Sequence, residues 1–268
     1  MASLSPQSAL IILGASMALS TAAVAQGVTP NPSADPRNAV GLGIGAVMEA
    51  YRDLDEDTRI LPTPVLRLDG RRFSVSGTSA SYSLLKGEKW EAAATLDYRF
   101  QGYDAEDSPI FQGMDDRDST LEGGGWYSYK IGPAILTAYA LTDLFDRHGG
   151  YELRGVAAYK VVDNRATKVT PYLGLSFQSE DLANYYYGVE ADEAATLVID
   201  GESVTRAQYV PGETLTPFVG ITARQALSRK WAIAATGRYE FLPDEVVDSP
   251  LTDADSRAFF ALALARLF

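Results

Sequence analysis

The stretch Phe259-Phe260-Ala261-Leu262-Ala263-Leu264-Ala265-Arg266-Leu267-Phe268 alternates large apolar with small residues and stops on phenylalanine. Successive side chains of an extended strand point to opposite faces. One row therefore reads Phe268, Arg266, Leu264, Leu262, Phe260, and the other Leu267, Ala265, Ala263, Ala261, Phe259. The first row suits lipid and the second a crowded barrel interior. Arg266 interrupts the apolar row, but close to the strand end it reaches the headgroups, where a charge costs about 0–1 kcal/mol rather than several. A final strand of this kind is expected of an outer-membrane barrel, with Phe268 as its assembly signal.

The same rhythm runs upstream. In 92–102, Ala94, Leu96, Tyr98 and Phe100 share one face, while Thr95, Asp97, Arg99 and Gln101 share the other. In 231–241, Trp231, Ile233, Ala235, Tyr239 and Phe241 oppose Thr236, Arg238 and Glu240. In 151–161 the apolar row is Tyr151, Leu153, Ala157, Tyr159 and Val161, against Glu152, Arg154 and Lys160. A soluble sandwich alternates too. Aromatic residues at segment ends, among them Trp90, Tyr103, Trp126, Tyr129 and Trp231, favour a membrane barrel, because interfacial girdles recruit such rings.

The first 25 residues carry no charged side chain, and the apolar run closing on Ala23-Val24-Ala25 fits a secretory signal with its cleavage site. The expected division is a signal peptide over 1–25, a Pro-, Ser- and Asn-rich periplasmic leader over 26–38, and one barrel domain over 39–268. The absence of cysteine excludes a disulfide scaffold and lipid attachment through a thiol. An exported chain with no other apolar run of spanning length is either periplasmic or a closed barrel. A net charge of -12 and a pI near 4.6 argue against nucleic acid as a partner.

Loop lengths test the orientation. With the last strand ending in the periplasm, the connections 227–230, 163–166, 131–133 and 85–89 come out periplasmic, and all are short. The connections 244–255, 179–214, 145–149 and 104–118 come out extracellular, and three of the four are long, as outer-membrane barrels require. Towards the N-terminus eleven segments leave the count odd. Splitting 72–84 at Gly77-Thr78-Ser79 gives twelve strands; ten is the alternative.

Gly41-Leu42-Gly43-Ile44-Gly45 superficially matches a nucleotide loop, but lacks the following helix and acidic residue. Its glycines fall on one strand face, where they leave room inside a barrel, and no cofactor is expected. Acidic clusters recur at 53–57, 104–107, 115–118 and 248–255, yet none has the glycine and distal glutamate of a calcium loop, so no metal site follows. They read as solvated loops able at most to bridge lipopolysaccharide phosphates through divalent ions. Outer-membrane lipid and lipopolysaccharide are the surroundings expected of the barrel. His148, the single histidine, sits in the turn-like Asp146-Arg147-His148-Gly149-Gly150; with Asp143, Asp146 or Ser128 it is the one candidate for hydrolase or acyltransferase chemistry. The inward charges Asp97, Arg99, Glu122, Arg154, Lys160, Lys168, Arg224, Arg238 and Glu240 mix both signs. Such charges must pair or stay hydrated in a narrow lumen, so they either fill the barrel or line a selective path for small polar solutes.

In order, the chain presents Gly41–Gly45 followed by Leu61-Pro62-Thr63-Pro64-Val65, then Gly70-Arg71-Arg72-Phe73, Gly113-Met114-Asp115-Asp116 and Leu121-Glu122-Gly123-Gly124. Arg147-His148-Gly149-Gly150, Tyr186-Tyr187-Gly188-Val189, Trp231-Ala232-Ile233 and Asp248-Ser249-Pro250-Leu251 follow. Taken together these resemble the MipA/OmpV family of outer-membrane proteins over nearly the whole mature chain. The departures are Tyr186-Tyr187-Gly188 where the family has Tyr-Phe-Gly, Arg266, and an acidic insert over 191–209. The resemblance implies a non-enzymatic barrel without catalytic residues. It further implies a scaffold that joins a lytic transglycosylase to a murein synthase, with adhesion, stress or antibiotic response linked to other members. A narrow channel is the alternative function, and a lipid-modifying barrel enzyme the third.

Overall fold

The computed structural model describes residues 38–54 and 58–268. The expected signal peptide, the leader apart from Asn38, and Asp55, Glu56 and Asp57 of the first acidic cluster lie outside the described residues.

Alternation becomes strand throughout. In chain order the strands are β1 (Ala39–Met48), β2 (Thr58–Asp69), β3 (Phe73–Ser76), β4 (Ser79–Lys86), β5 (Trp90–Arg99), β6 (Thr120–Ile131), β7 (Ala134–Asp143) and β8 (Tyr151–Tyr159). After these come β9 (Val162–Asp163), β10 (Thr167–Gln178), β11 (Ala195–Ile199), β12 (Glu202–Arg206), β13 (Thr214–Ala226), β14 (Trp231–Phe241) and β15 (Ser256–Leu267). Two short helices, α1 (Glu180–Tyr187) and α2 (Asp244–Val247), and a 3-10 turn at Pro109–Phe111 lie in the connections. Twelve strands close an antiparallel barrel: sequence neighbours pair, β10 pairs with β13, and β15 returns to β1 from Ala39↔Leu267 to Met48↔Ala258. The stub β9 pairs with β10 and continues the line of β8, and β11–β12 form a separate hairpin.

The division of 72–84 at Gly77 is what brings the count to twelve. Gly77 has φ 59°, the left-handed conformation a tight turn needs and which only glycine adopts freely. The resulting β3–β4 hairpin is short, and β3 pairs with β2 only over Arg67–Asp69. Gly77 N–H donates to Leu66 O at 2.9 Å. Leu66 therefore turns its backbone toward β3, as by alternation do Pro64 and Pro62 higher up, where β3 no longer reaches. Proline has no N–H to leave unpaired on that side, so its presence suits a half-edge strand in lipid.

Outward rows face lipid: Leu42, Ile44, Leu173, Leu175, Leu262 and Leu264 are all exposed. The inward row of β15, Ala261, Ala263 and Ala265, is buried. It lies so close to β1 that a Cβ added at Gly41 would stand 2.2 Å from Leu264 O. The glycines thus admit the neighbouring strand rather than merely vacating the lumen. On the opposite wall the lumen is filled by Tyr139, Val156, Tyr172 and Phe218, with Trp126 packed against them and donating to Ser81 Oγ at 3.2 Å.

Candidate functional site

The long connections all emerge at one end, which by loop length is the extracellular end. Just inside that mouth the strands place a belt of ions. Arg99 ends β5, Glu122 and Glu152 stand near the starts of β6 and β8, Arg238 and Glu240 near the end of β14, and Arg257 at the second position of β15. One half of the belt is built on Arg99, which donates through Nε and Nη2 to Glu122 at 2.8 and 3.1 Å and also pairs with Glu152. Glu152 in turn accepts from Arg154 at 2.6 and 2.9 Å and from Ser176 Oγ at 2.6 Å. The other half joins Arg238 to Glu240 at 2.8 Å, Arg257 to Glu240 at 2.7 Å, and Arg257 to Glu49 at 4.0 Å. Ring faces complete the solvation: Arg238 lies 3.8 Å from the Phe218 ring centroid and Arg154 5.6 Å from that of Tyr139. Charge is balanced, four arginines against four glutamates, which is what burial of so many ions demands. Between the halves is a cavity of about 30 Å³, room for one or two waters.

Above the belt, the connections fold into a lid with its own apolar core. Ile110, Phe111, Leu182, Tyr186 and Leu251 are 0 % exposed, and Tyr103 stacks on Phe111 at 4.0 Å. Arg117 grips Glu193 at 2.7 and 2.9 Å. Arg206, at the base of the β11–β12 hairpin, satisfies the Glu193, Ile110 and Gln112 carbonyls. Gln101 links lid to belt by donating to the Tyr187 hydroxyl at 3.0 Å. Burial pushes the Tyr103, Tyr186 and Tyr187 phenols up, keeping them neutral. Burial also raises the Glu49 carboxyl, against the pull of Arg257 and Arg59. Glu193 behaves oppositely: burial would raise it, but the Glu190 N–H and Arg117 hold it below the usual range.

Of the charges expected to face the lumen together, Arg99, Glu122, Arg154, Arg238 and Glu240 meet in the belt. Asp97 sits beside it, accepting from Ser79 Oγ at 2.8 Å. Lys160 does not join: β8 ends at Tyr159, and Lys160 lies in the short break between β8 and β9 near the periplasmic end, 3.2 Å from Asp163, which also pairs with Lys168. Arg224 stands near that same end, opposite Lys168 in register. Phe268 is exposed at the foot of the β15–β1 seam, its N–H donating to Asn38 O at 3.0 Å. Sequence reasoning set Glu152 and Gln101 on the polar face without counting them among the network, and missed Glu49 and Arg257 altogether. Arg257 shares parity with the inward row ending at Leu267, Glu49 with Val47, and Glu152 with Arg154, so the signal was present.

His148 is fully enclosed. Its Nδ1 accepts from Gly150 N–H at 3.0 Å, which places the ring proton on Nε2, 3.4 Å from Glu122. Asp143 instead accepts from Thr120 and from the backbone of Phe145, His148 and Gly149, closing the turn, while Ser128 pairs with Thr137 at 3.3 Å lower in the lumen. The histidine is therefore built into the belt, and the serine lies elsewhere.

A closed barrel with apolar rows outside, aromatic ends and ions within is a transmembrane β-barrel of the bacterial outer membrane. The chain belongs to the family of the MltA-interacting protein MipA, whose family model matches residues 40–268. It is 30% identical over 222 residues to the MltA-interacting protein of Escherichia coli K12, covering 82% of this chain and 86% of that protein. It is 26% identical over 233 residues to the putative outer membrane protein YiaT of the same organism, covering 86% and 90%. Outer membrane protein OmpV of Vibrio cholerae is 26% identical over 166 residues, covering 62% and 61%.

Proposed function

We propose that this barrel is a non-enzymatic scaffold of the cell envelope, holding a lytic transglycosylase and a murein synthase at the inner surface of the outer membrane. The observation that carries the reading is the extracellular mouth, where a paired, charge-balanced belt lies under an apolar lid: that construction spends the lumen on rigidity. The relative named for its interaction with MltA supports the choice of a transglycosylase. The periplasmic turns are short and offer little of the roughly 800 Å² per partner that a stable protein interface buries. The leader over 26–38 therefore supplies the remaining contact. The test is capture from solubilised envelopes on the tagged full-length chain. Recovery of a murein hydrolase and a synthase, reduced when 26–37 is deleted, is expected; recovery of neither refutes the reading.

The cavity between the two halves of the belt favours one second reading, a narrow path for small polar solutes. It requires the lid to open and the ion pairs to separate, and discrete conductance steps in a planar bilayer would establish it.

A further inference from the structure

The two ends of the barrel carry opposite charge. Among the described residues, the connections at the lidded end, 49–54, 100–119, 144–150, 179–213 and 242–255, hold 22 Asp and Glu against four Lys and Arg. The opposite rim, made of 66–74, 85–91, 129–135, 159–169, 223–232 and 265–268, holds thirteen Lys and Arg against four Asp and Glu. A chain with a net charge of -12 has thus gathered more than half of its cations at its periplasmic mouth.

Where these cations sit decides what they meet. At this end the lipid-facing rows finish in aromatic rings, Tyr127, Tyr129, Tyr159 and Trp231, all exposed. Such rings mark the headgroup level. Arg71, Arg72, Lys89, Arg165 and Lys230 are exposed on the turns beyond them, past the last paired residues of β2, β4, β8 and β13. They therefore project into the periplasm, and only Arg266 stays on a lipid-facing row. The turns are too short to form a protein-sized interface, yet they distribute positive charge around a ring. A ring of that kind fits a polymer with repeated carboxylates, each contact weak and the set strong through multivalency.

We infer that the periplasmic rim docks on murein, its lysines and arginines pairing with the carboxylates of the stem peptides. The choice of murein among polyanions rests on the scaffold reading above; the charge complementarity does not. Docking of this kind sets the barrel directly over the polymer on which its partner enzymes act. It weakens with salt, because exposed pairs are screened beyond about 8 Å at physiological ionic strength.

The experiment is co-sedimentation of the detergent-refolded full chain with purified sacculi. It compares wild type with the fivefold variant Arg71→Gln, Arg72→Gln, Lys89→Gln, Arg165→Gln, Lys230→Gln, and heat-modifiable gel mobility verifies that both are folded. Wild type is expected to sediment at low salt. The variant should bind at least about tenfold more weakly, as should wild type on sacculi whose carboxylates have been amidated. Equal binding by the folded variant, equal binding to amidated sacculi, or retention on phosphatidylglycerol vesicles but not on sacculi would each overturn the inference. Enzyme capture separates this result from the scaffold reading: sacculus binding without capture leaves the rim standing and removes the scaffold, while capture without sacculus binding does the reverse.

Discussion

Two ion clusters at opposite ends of the same β8 strand make a useful contrast. Glu152, near its extracellular start, is 2 % exposed and holds two arginines that are almost as enclosed. Asp163, just past its periplasmic end, also holds two cations, Lys160 and Lys168, but its side chain is 35% exposed and theirs 21%. The chemistry is the same, and the difference is water. In the belt, an ion deprived of its partner has only the one or two waters of the small cavity to turn to; at the turn it has bulk solvent. The belt thus specifies how the strands converge under the lid, whereas the turn cluster only decorates a hairpin.

Substitutions that break one partner at each site test this contrast. Glu152→Leu leaves Arg154 and half of the valence of Arg99 uncompensated, and should destabilise the barrel by about 3–5 kcal/mol, read as a lowered urea midpoint for the refolded protein in lipid. A smaller loss would mean that water reaches the belt. The lid lies between the extremes. Glu193 is held below its ordinary value of 4.5, so its contribution is fully present above that pH and disappears as pH falls through the lower folded value. Limited proteolysis within 179–213 should accordingly be slow at pH 7 and accelerate below about pH 4. In Glu193→Gln it should be faster at pH 7 and nearly insensitive to acid. The smallest effect belongs to Asp163→Asn, where exposed pairs contribute below about 1 kcal/mol and the urea midpoint should barely move. A loss comparable to that of Glu152→Leu would erase the distinction between the two ends.

How much was legible follows the same division. The barrel wall could be read because lipid on one side and lumen on the other impose a strict period of two, plain in Phe259–Phe268 and in Ala94–Gln101. Even the short β3–β4 hairpin was marked by Gly77. Strand ends were harder: the alternation through Lys160 and Val161 continues past the last β8 pair, and both residues still donate, to Pro133 O and Val169 O at 3.0 Å, although they have left the regular ladder. The lid left no periodic trace. Its contacts join residues far apart, Arg117 to Glu193 across 76 positions and Arg206 to Ile110 across 96. The acidic clusters around them read as solvated loops, although some of these carboxylates cap turns, as Asp116 does in accepting from Ala105 N–H at 2.8 Å.

The central claim is that belt and lid fill the extracellular mouth so that the barrel serves as a rigid platform. Single-channel recording of the refolded protein in a planar bilayer tests it most directly. The account predicts a silent bilayer for wild type, with steps appearing only when removal of the lid segment 179–213 is combined with a break in the belt such as Glu152→Leu. Stable, discrete conductance from the intact protein would contradict it.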